Sequence, residues 1–257
     1  MNAAAPGKLL LTRWHASGIH FLISVAIALA TLAVMLLVWY PRPLFEAAGG
    51  TGLLFILVGV DVVIGPLITL IIFRMGKPGL GFDLWVIGLL QLSALLYGSW
   101  IMFEARPVFL VLVKDQFEVA SAIEITPESF RQARRPEFRR ASLLGPVLVY
   151  AELSDQDRQE AISSVMAGGP DIQQSPKYFV PYAERRKEAL AQAHPLDHAR
   201  KTWPEAKRPI DQYLADSGRR DGDIVYCAGR APYGWIIALL DAKSGDVLRF
   251  ILSEPAS

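Results

Sequence analysis

Three long apolar runs occupy the first two-fifths of the chain, at residues 19–40, 53–73 and 82–103. They contain 22, 21 and 22 residues. A helix rises about 1.5 Å per residue, so runs of this length cross the roughly 30 Å hydrocarbon core of a bilayer. Because a chain inside lipid must pair its backbone polar groups internally, each run predicts a transmembrane α-helix. Proline and glycine in the short connections favour turns, and we predict a three-span domain over residues 1–106.

The pattern of apolar positions changes at residue 107 and becomes that of an α+β domain over residues 107–257. Ser154 is a candidate N-cap, and Gly218 is a candidate helix end. The turn at residues 241–246, which contains Gly245, predicts a C-terminal β-hairpin. Strands are predicted at residues 107–113, 117–125 (with a helix as the alternative), 146–153, 223–228, 235–240 and 247–252, and helices at 155–166, 182–193 and 204–215.

The composition separates the chain into the same two parts. The fraction of hydrophobic residues is 52%, the formal net charge is +1 and the mean hydropathy is +0.30. Of the 26 Lys and Arg and the 25 Asp and Glu residues, only ten lie at or before residue 106. These numbers exclude a simple cytosolic enzyme, a disordered chain and a protein that binds nucleic acid through bulk charge. The single cysteine, Cys227, excludes an intramolecular disulfide framework.

The orientation of the three spans is predicted from the positive charges at their ends. The first run exceeds the usual core of a signal peptide and no A-x-A site follows it, so we expect a retained anchor. Lys and Arg near the spans number four on one side and three on the other: Lys8, Arg13, Arg74 and Lys77 against Arg42, Arg106 and Lys114. The positive-inside rule then predicts a cytoplasmic N-terminus and a periplasmic C-terminal domain in a bacterial inner membrane.

Asp61 is the one formally charged residue deep inside a predicted span. It lies about 12 Å from the helix end, where a carboxylate costs about 3 kcal/mol on insertion scales and needs a partner. Gly65 and Thr69 share its helix face. The rise per residue places Thr31 at a similar height, with Gln91 and Ser93 within about a turn. The matching face of the first helix carries Ser24, Ala28 and Thr31. Pro66 is expected to free a backbone carbonyl one turn back, near Val62.

Three interpretations of Asp61 follow. The carboxyl group fixes the bundle by bonding to Thr31 or Gln91; or it belongs to a polar notch, together with Gly65 and Pro66, that receives the transmembrane helix of a partner; or it lies on a proton or ion pathway. A pathway is the weakest of these, because three helices with one carboxylate offer no relay.

Candidate chemistry in the C-terminal domain is sparse. His194 and His198 are spaced i, i+4, but Pro195 between them weakens a helical ligand pair, and we expect a surface loop. Cys227 is expected to be a buried structural thiol. The arginines between residues 131 and 140 are interpreted as a solvated basic surface, with anionic lipid or an acidic partner as the alternatives. We predict no catalytic residue, no metal site, no cofactor and no nucleic-acid partner.

The sequence resembles the TfpX/TfpZ family of type IV pilin accessory proteins over most of its length. The resemblance is carried by residues 13–20 (RWHASGIH), 39–44 (WYPRPL), 59–61, 65–67, 82–84, 91, 97–98, 105–108 and 115–117. Its motif residues at the membrane boundaries are Trp14, His20, Trp39, Tyr40, Pro41, Asp83, Arg106 and Pro107.

The resemblance implies a non-catalytic protein of the inner membrane that stabilises or escorts its cognate major pilin and promotes pilus assembly. The implied partners are that pilin and inner-membrane assembly components, besides the lipid bilayer. We expect Asp61, Gly65, Pro66, Gln91 and Thr31 to contact the pilin helix or to form a polar cluster in the bundle. The alternatives are a membrane-anchored periplasmic sensor or ligand-binding protein, and a membrane-bound enzyme that modifies pilin.

Overall fold

Three long helices form the first part of the chain in a computed structural model that describes residues 12–253, apart from the side chains at positions 53 and 57. They are α1 (Arg13–Trp39), α3 (Gly50–Ile72) and α4 (Leu80–Glu104), and all three are strongly apolar. A short helix, α2 (Leu44–Ala47), lies between the first two. By length and composition all three long helices can cross a membrane. The three predicted apolar helices are confirmed, and α1 begins six residues earlier than predicted.

Two of these helices change their hydrogen-bond pattern. Residues Met35–Trp39 at the end of α1 and Gly59–Ile64 inside α3 are π-helical. A π-helical turn contains one residue more than the α-helical pattern accommodates and is frequent at functional sites. The one in α3 contains Asp61 and ends just before Gly65 and Pro66.

The chain divides into two units by its internal contacts. We call residues 12–34 and 51–101 the helical unit, and residues 35–50 and 102–253 the sheet unit. The sequence had grouped residues 35–50 with the spans. They pack with the sheet unit because Leu44 and Ala47 are buried in its core, and because the Tyr233 N–H donates a 2.9 Å hydrogen bond to the Ala47 carbonyl.

The sheet unit is built on one mixed β-sheet of eight strands. The strands are β1 (Pro107–Val113), β2 (Gln116–Ser121), β3 (Val147–Ala151), β4 (Phe179–Pro181), β5 (His194–Pro195), β6 (Ile224–Ala231), β7 (Gly234–Asp241) and β8 (Val247–Ser253). Their order is β4-β3-β1-β2-β6-β7-β8, and β5 pairs with β6. The β1/β3 and β2/β6 pairs are parallel, and the other pairs are antiparallel.

Strand β1 is covered on both faces of the sheet. Phe109 and Val111 belong to one hydrophobic cluster, and Leu110 and Leu112 belong to the other. A strand buried on both faces is continuously apolar instead of alternating, which explains the run PVFLVLV. This strand therefore carries the core of the sheet unit.

Five further helices cover the sheet: α5 (Pro127–Arg131), α6 (Asp155–Met166), α7 (Arg186–Gln192), α8 (Leu196–Thr202) and α9 (Lys207–Ser217). Ser154 caps α6 as predicted, and Gly218 ends α9 in the left-handed conformation. The three C-terminal strands are confirmed. Residues 117–125 form strand β2 and a single helical turn. The sequence missed five short elements, α2, α5, α8, β4 and β5.

The N-terminus of α6 shows how charges stabilise the sheet unit. The Asp157 carboxylate accepts hydrogen bonds from the Ser154 N–H at 3.1 Å and from Arg134 Nη2 at 2.5 Å. The Arg134 guanidinium and the Ser154 donors lower the pKa of Asp157 from 3.8 to about 2. Because this folded-state pKa lies below the ordinary value, the stabilisation is present above about pH 4 and is lost as the pH falls towards the folded pKa.

Replacing Asp157 with Asn should therefore destabilise the sheet unit by about 1–2 kcal/mol at pH 7, and by much less near pH 2. Urea unfolding of the detergent-solubilised protein, followed by tryptophan fluorescence, measures the difference. Asp155→Asn is the matched control, because Asp155 lies exposed in the same first turn. A deficit for Asp157→Asn that stayed undiminished at low pH would contradict this account.

Candidate functional site

The π-helical turn of α3 leaves one backbone carbonyl without an intrahelical donor. Within the turn each carbonyl pairs five residues ahead, and the Gly65 N–H donates to the Val60 carbonyl. The same spacing pairs the Asp61 carbonyl with the nitrogen of Pro66, which carries no hydrogen. The sequence placed the freed carbonyl near Val62; the π pattern moves it to Asp61.

Gln91 on α4 supplies the missing donor. Its Nε2 donates a hydrogen bond to the Asp61 carbonyl oxygen at 3.2 Å. Gly65 makes this approach possible, because a Cβ atom at that position would overlap the Gln91 carboxamide. Close approach of two helices at a small residue, with a polar side chain bonding across, is typical of packing within membranes.

Helix α1 joins α3 through a second set of polar contacts. Ser17 Oγ donates to the Pro66 carbonyl at 2.9 Å, and a 2.6 Å hydrogen bond joins His20 Nδ1 and Thr69 Oγ1. Ser24 is buried one turn further along α1. These contacts hold α1 against the half of α3 that follows Pro66.

A cavity of about 160 Å³ lies among the three helices beside these contacts. We call it the bundle cavity; its lining is His20, Ile23, Ser24, Ile27, Asp61, Gly88, Gln91, Leu92 and Leu95. Asp61 is only 7% exposed. Among the described residues, neither Asp61 Oδ1 nor Gln91 Oε1 has a hydrogen-bond partner. A buried acceptor without a donor is costly, so a ligand of this cavity gains by bringing an N–H or O–H group.

The structure brings together most of the residues that the sequence proposed for this site. Asp61 and Gln91 line the bundle cavity, and Gly65 lies against the Gln91 side chain. Pro66 follows Gly65 and is bound by Ser17 of α1, outside the lining. Thr31 is half-buried and is not part of the lining. Thr31 does not join Asp61 in the cavity although the two were expected at a similar depth in the membrane. The polar residues of α1 that contact α3 lie nearer the N-terminus of α1.

The sequence analysis placed Ser24 on the inward face of the first helix, but it missed Ser17 and assigned His20 to the membrane boundary. A signal for Ser17 and His20 was present. Residues 17, 20 and 24 follow one another at the i, i+3, i+7 spacing of one helix face inside an otherwise apolar run. A polar stripe at that spacing predicts contact with protein instead of lipid.

Most of the remaining boundary residues of the motif tie the span ends together within the sheet unit. Tyr40 Oη donates to the Met102 carbonyl at 2.7 Å, and the rings of Trp39 and Phe103 lie 5.2 Å apart. Arg106 Nη1 donates to the Phe103 carbonyl at 2.5 Å, and its guanidinium stacks on the Phe103 ring. Pro107 begins β1. These contacts fix where α1 and α4 end.

Pro41 also belongs to the sheet unit, where its carbonyl accepts a 2.9 Å hydrogen bond from the Leu44 N–H, whereas Asp83 and Trp14 belong to the helical unit. Asp83, in the first turn of α4, pairs at 2.5 Å with Lys77 in the connection between α3 and α4, where Gly76 and Gly79 adopt positive φ. Trp14 is exposed at the start of α1, as suits an interfacial aromatic residue.

The candidate reactive residues of the sheet unit, Cys227 and His198, are engaged in its fold. Burial raises the pKa of the Cys227 thiol to about 12, so the thiol stays protonated at neutral pH. His198 Nδ1 bonds to the Tyr226 hydroxyl at 2.5 Å and stacks on its ring. His198 lies on helix α8, not in the surface loop expected for it. Among the residues that the structure describes, no group of three His, Cys, Asp or Glu side chains is arranged to hold a metal ion.

The basic stretch between residues 131 and 140 is partly internal structure. Arg131 pairs with Glu128, Arg134 pairs with Asp157 and Arg135 pairs with Glu184, each at 2.5–2.6 Å. Three of its five arginines are therefore bound to carboxylates of the same unit. Arg139 and Arg140 are exposed.

Gly65→Ala should destabilise the helical unit by about 1–3 kcal/mol, because the added methyl group overlaps the Gln91 carboxamide. The loss is measured as the temperature at which the detergent-solubilised protein leaves its monodisperse gel-filtration peak. Gly59→Ala, on the same helix with open space at its Cβ position, should change stability by less than about 1 kcal/mol. Equal effects of the two variants would rule out this close approach.

Comparison of the sequence with known proteins shows which family the chain belongs to. Residues 8–49 match the family described as fimbrial assembly protein FimB. Two fimbrial assembly proteins of Dichelobacter nodosus, of serogroups E1 and I, are each 34% identical over 184 residues, which is 70% of this chain and 71% of theirs. A third, of serogroups C1 and C2, is 36% identical over 119 residues, which is 46% of this chain and 91% of its own. No solved structure matches the chain. In the first two alignments 34% of the aligned residues are identical, and each alignment covers more than two-thirds of this chain and of the relative. The chain therefore belongs to the fimbrial assembly protein family.

Proposed function

We propose that this protein is a non-catalytic accessory protein of the bacterial inner membrane that stabilises or escorts its cognate type IV major pilin and promotes pilus assembly. Membership of the fimbrial assembly family supports the role in fimbrial biogenesis. The narrower assignment to TfpX/TfpZ proteins stays a prediction, since the relatives carry the wider name. Pilus-assembly components of the inner membrane are further proposed partners.

The division of the chain suits such a partner. A pilin subunit waits in the bilayer as one apolar helix with a globular head outside it. A protein that escorts it needs a contact for the helix within the membrane and a contact for the head in the same compartment. The helical unit and the sheet unit offer one surface for each, with the N-terminus in the cytoplasm and the sheet unit in the periplasm.

The main support for a contact with the pilin helix is the bundle cavity. Its volume of about 160 Å³ suits one or two side chains, not a whole helix. Its wall is mostly apolar, and its two unpartnered acceptors, Asp61 Oδ1 and Gln91 Oε1, call for a donor. We propose that the pilin helix packs along the rim of this cavity at Gln91 and Leu92 and places a hydrogen-bond donor against Asp61. The proposed contact residues Gly65 and Pro66 are buried behind that rim and would support it.

We propose that the polar cluster around Asp61 binds a partner in addition to stabilising the bundle. The contacts that fix the bundle are made by Ser17, His20 and the Gln91 amide nitrogen. In contrast, Asp61 Oδ1 is buried without a hydrogen-bond partner among the described residues, and Asp61 lines the cavity. A residue whose role was only to fix the bundle would be expected to bond within it.

Filling the bundle cavity should therefore impair pilus assembly. Gly88 lines the cavity and has open space at its Cβ position, so Gly88→Leu places an apolar side chain there without a backbone clash. Surface piliation and steady-state pilin are measured in a strain that depends on this protein. We expect a decrease of about fivefold, which is the effect of losing about 1 kcal/mol of binding. Asp61→Asn should act in the same direction.

Gly81→Leu is the matched control. Gly81 lies two turns from Gly88 on the same helix, also with an open Cβ position, and is not part of the cavity lining. It should leave piliation unchanged, and immunoblotting should find all three variants at the parental level in the membrane. If Gly88→Leu and Asp61→Asn accumulate normally and leave pilin and piliation unchanged, the helix contact proposed here is wrong.

A further inference from the structure

Three exposed apolar side chains lie in the two loops at the start of strand β1. Leu143 and Leu144 are 62% and 84% exposed in the loop before β3, and Ile123 is 67% exposed in the turn after β2. Strands β2 and β3 both pair with β1. Since Pro107 pairs with Ser121 and Phe109 pairs with Val147, both loops lie at the N-terminal end of β1. We call the three side chains the apolar edge.

Backbone contacts tie this edge to the end of α4. Arg106 lies two residues beyond the end of that helix, and its Nε donates to the Ser142 carbonyl at 3.1 Å. The Arg106 carbonyl accepts a 2.9 Å hydrogen bond from the Ala122 N–H. The residues next to Leu143 and to Ile123 are therefore both bonded to Arg106, which is itself only 3% exposed.

The same loop also meets the end of α1. Gly145 has a φ of +99°, and a Cβ atom there would lie 3.0 Å from the Val38 carbonyl oxygen and 3.7 Å from Pro41 Cδ. Val38 is the second-last residue of α1. Glycine is required here both for the positive φ and for the close approach.

These contacts determine the depth of the apolar edge relative to the bilayer. Val38 and Phe103 lie inside membrane-spanning helices, within two residues of their ends. A loop bonded to such residues lies at the boundary between hydrocarbon and headgroups, where exposed leucine gains by entering the lipid. Arg139 and Arg140, shortly before the loop, are exposed, and basic side chains at this level favour anionic headgroups.

We propose that Leu143, Leu144 and Ile123 insert into the interfacial layer of the bilayer at the face where α1 and α4 end. The lipid is the occupant we infer, because the edge continues directly from two spans. This contact would add an attachment of the sheet unit to the membrane besides its three covalent links to the helical unit. It does not depend on the identity of the pilin partner.

Fluorescence quenching of the full-length protein in nanodiscs of phosphatidylcholine and phosphatidylglycerol tests this contact. An environment-sensitive NBD probe is attached at Leu144→Cys or at Ile123→Cys. Cys227 is fully buried and should not react, which the parent protein checks. The matched control is Asp115→Cys in the exposed turn at the other end of β1, about 23 Å away along a seven-residue strand.

Probes at positions 144 and 123 should be quenched by nitroxide lipids labelled near the headgroup and be at least about threefold less sensitive to aqueous iodide than the probe at 115. Iodide quenching at 144 or 123 as strong as at 115 would overturn the proposal. Shielding from both iodide and nitroxide lipid would overturn it too, since a protein surface would then cover the edge.

Discussion

A backbone carbonyl inside an apolar bundle has to find a donor, and at Asp61 the helix itself cannot provide one. The π-helical turn directs that carbonyl to Pro66, which has no N–H, and Gln91 on the next span takes its place at 3.2 Å. Gly65 has to be small so that Gln91 can reach, and on the other side of α3 Ser17 of α1 donates to the Pro66 carbonyl. The contact between α3 and α4 therefore follows from one interrupted hydrogen-bond ladder.

The same interruption leaves the bundle cavity polar on one side. The Gln91 amide nitrogen donates to the Asp61 backbone, and Gln91 Oε1 and Asp61 Oδ1 remain as acceptors. A membrane protein gains little from such a site unless something fills it, because each acceptor was taken from water at a cost. In the function proposed above, a pilin helix supplies the missing donor.

Different parts of this structure were predictable for different reasons. The spans, the Ser154 cap and the three C-terminal strands follow from local patterns that no tertiary contact opposes. The π-helical turn was not predictable, because apolar residues such as Val62 and Val63 suit α and π patterns equally. Depth along a helix placed Asp61 beside Gln91 correctly, yet it failed for Thr31, since height says nothing about which face turns inward. The short elements α5, α8, β4 and β5 form only because the core of the sheet unit holds them.

Site-specific photocrosslinking in pilin-producing cells tests the central claim most directly. Leu92 lines the bundle cavity and is 53% exposed, whereas Leu90 on the same helix is 65% exposed and is not part of the lining. A photoreactive residue at position 92 should form a pilin adduct that weakens with Asp61→Asn, and the same residue at position 90 should give only background. Equal adducts at both positions, or none at position 92, would contradict the binding of a pilin helix at this cavity.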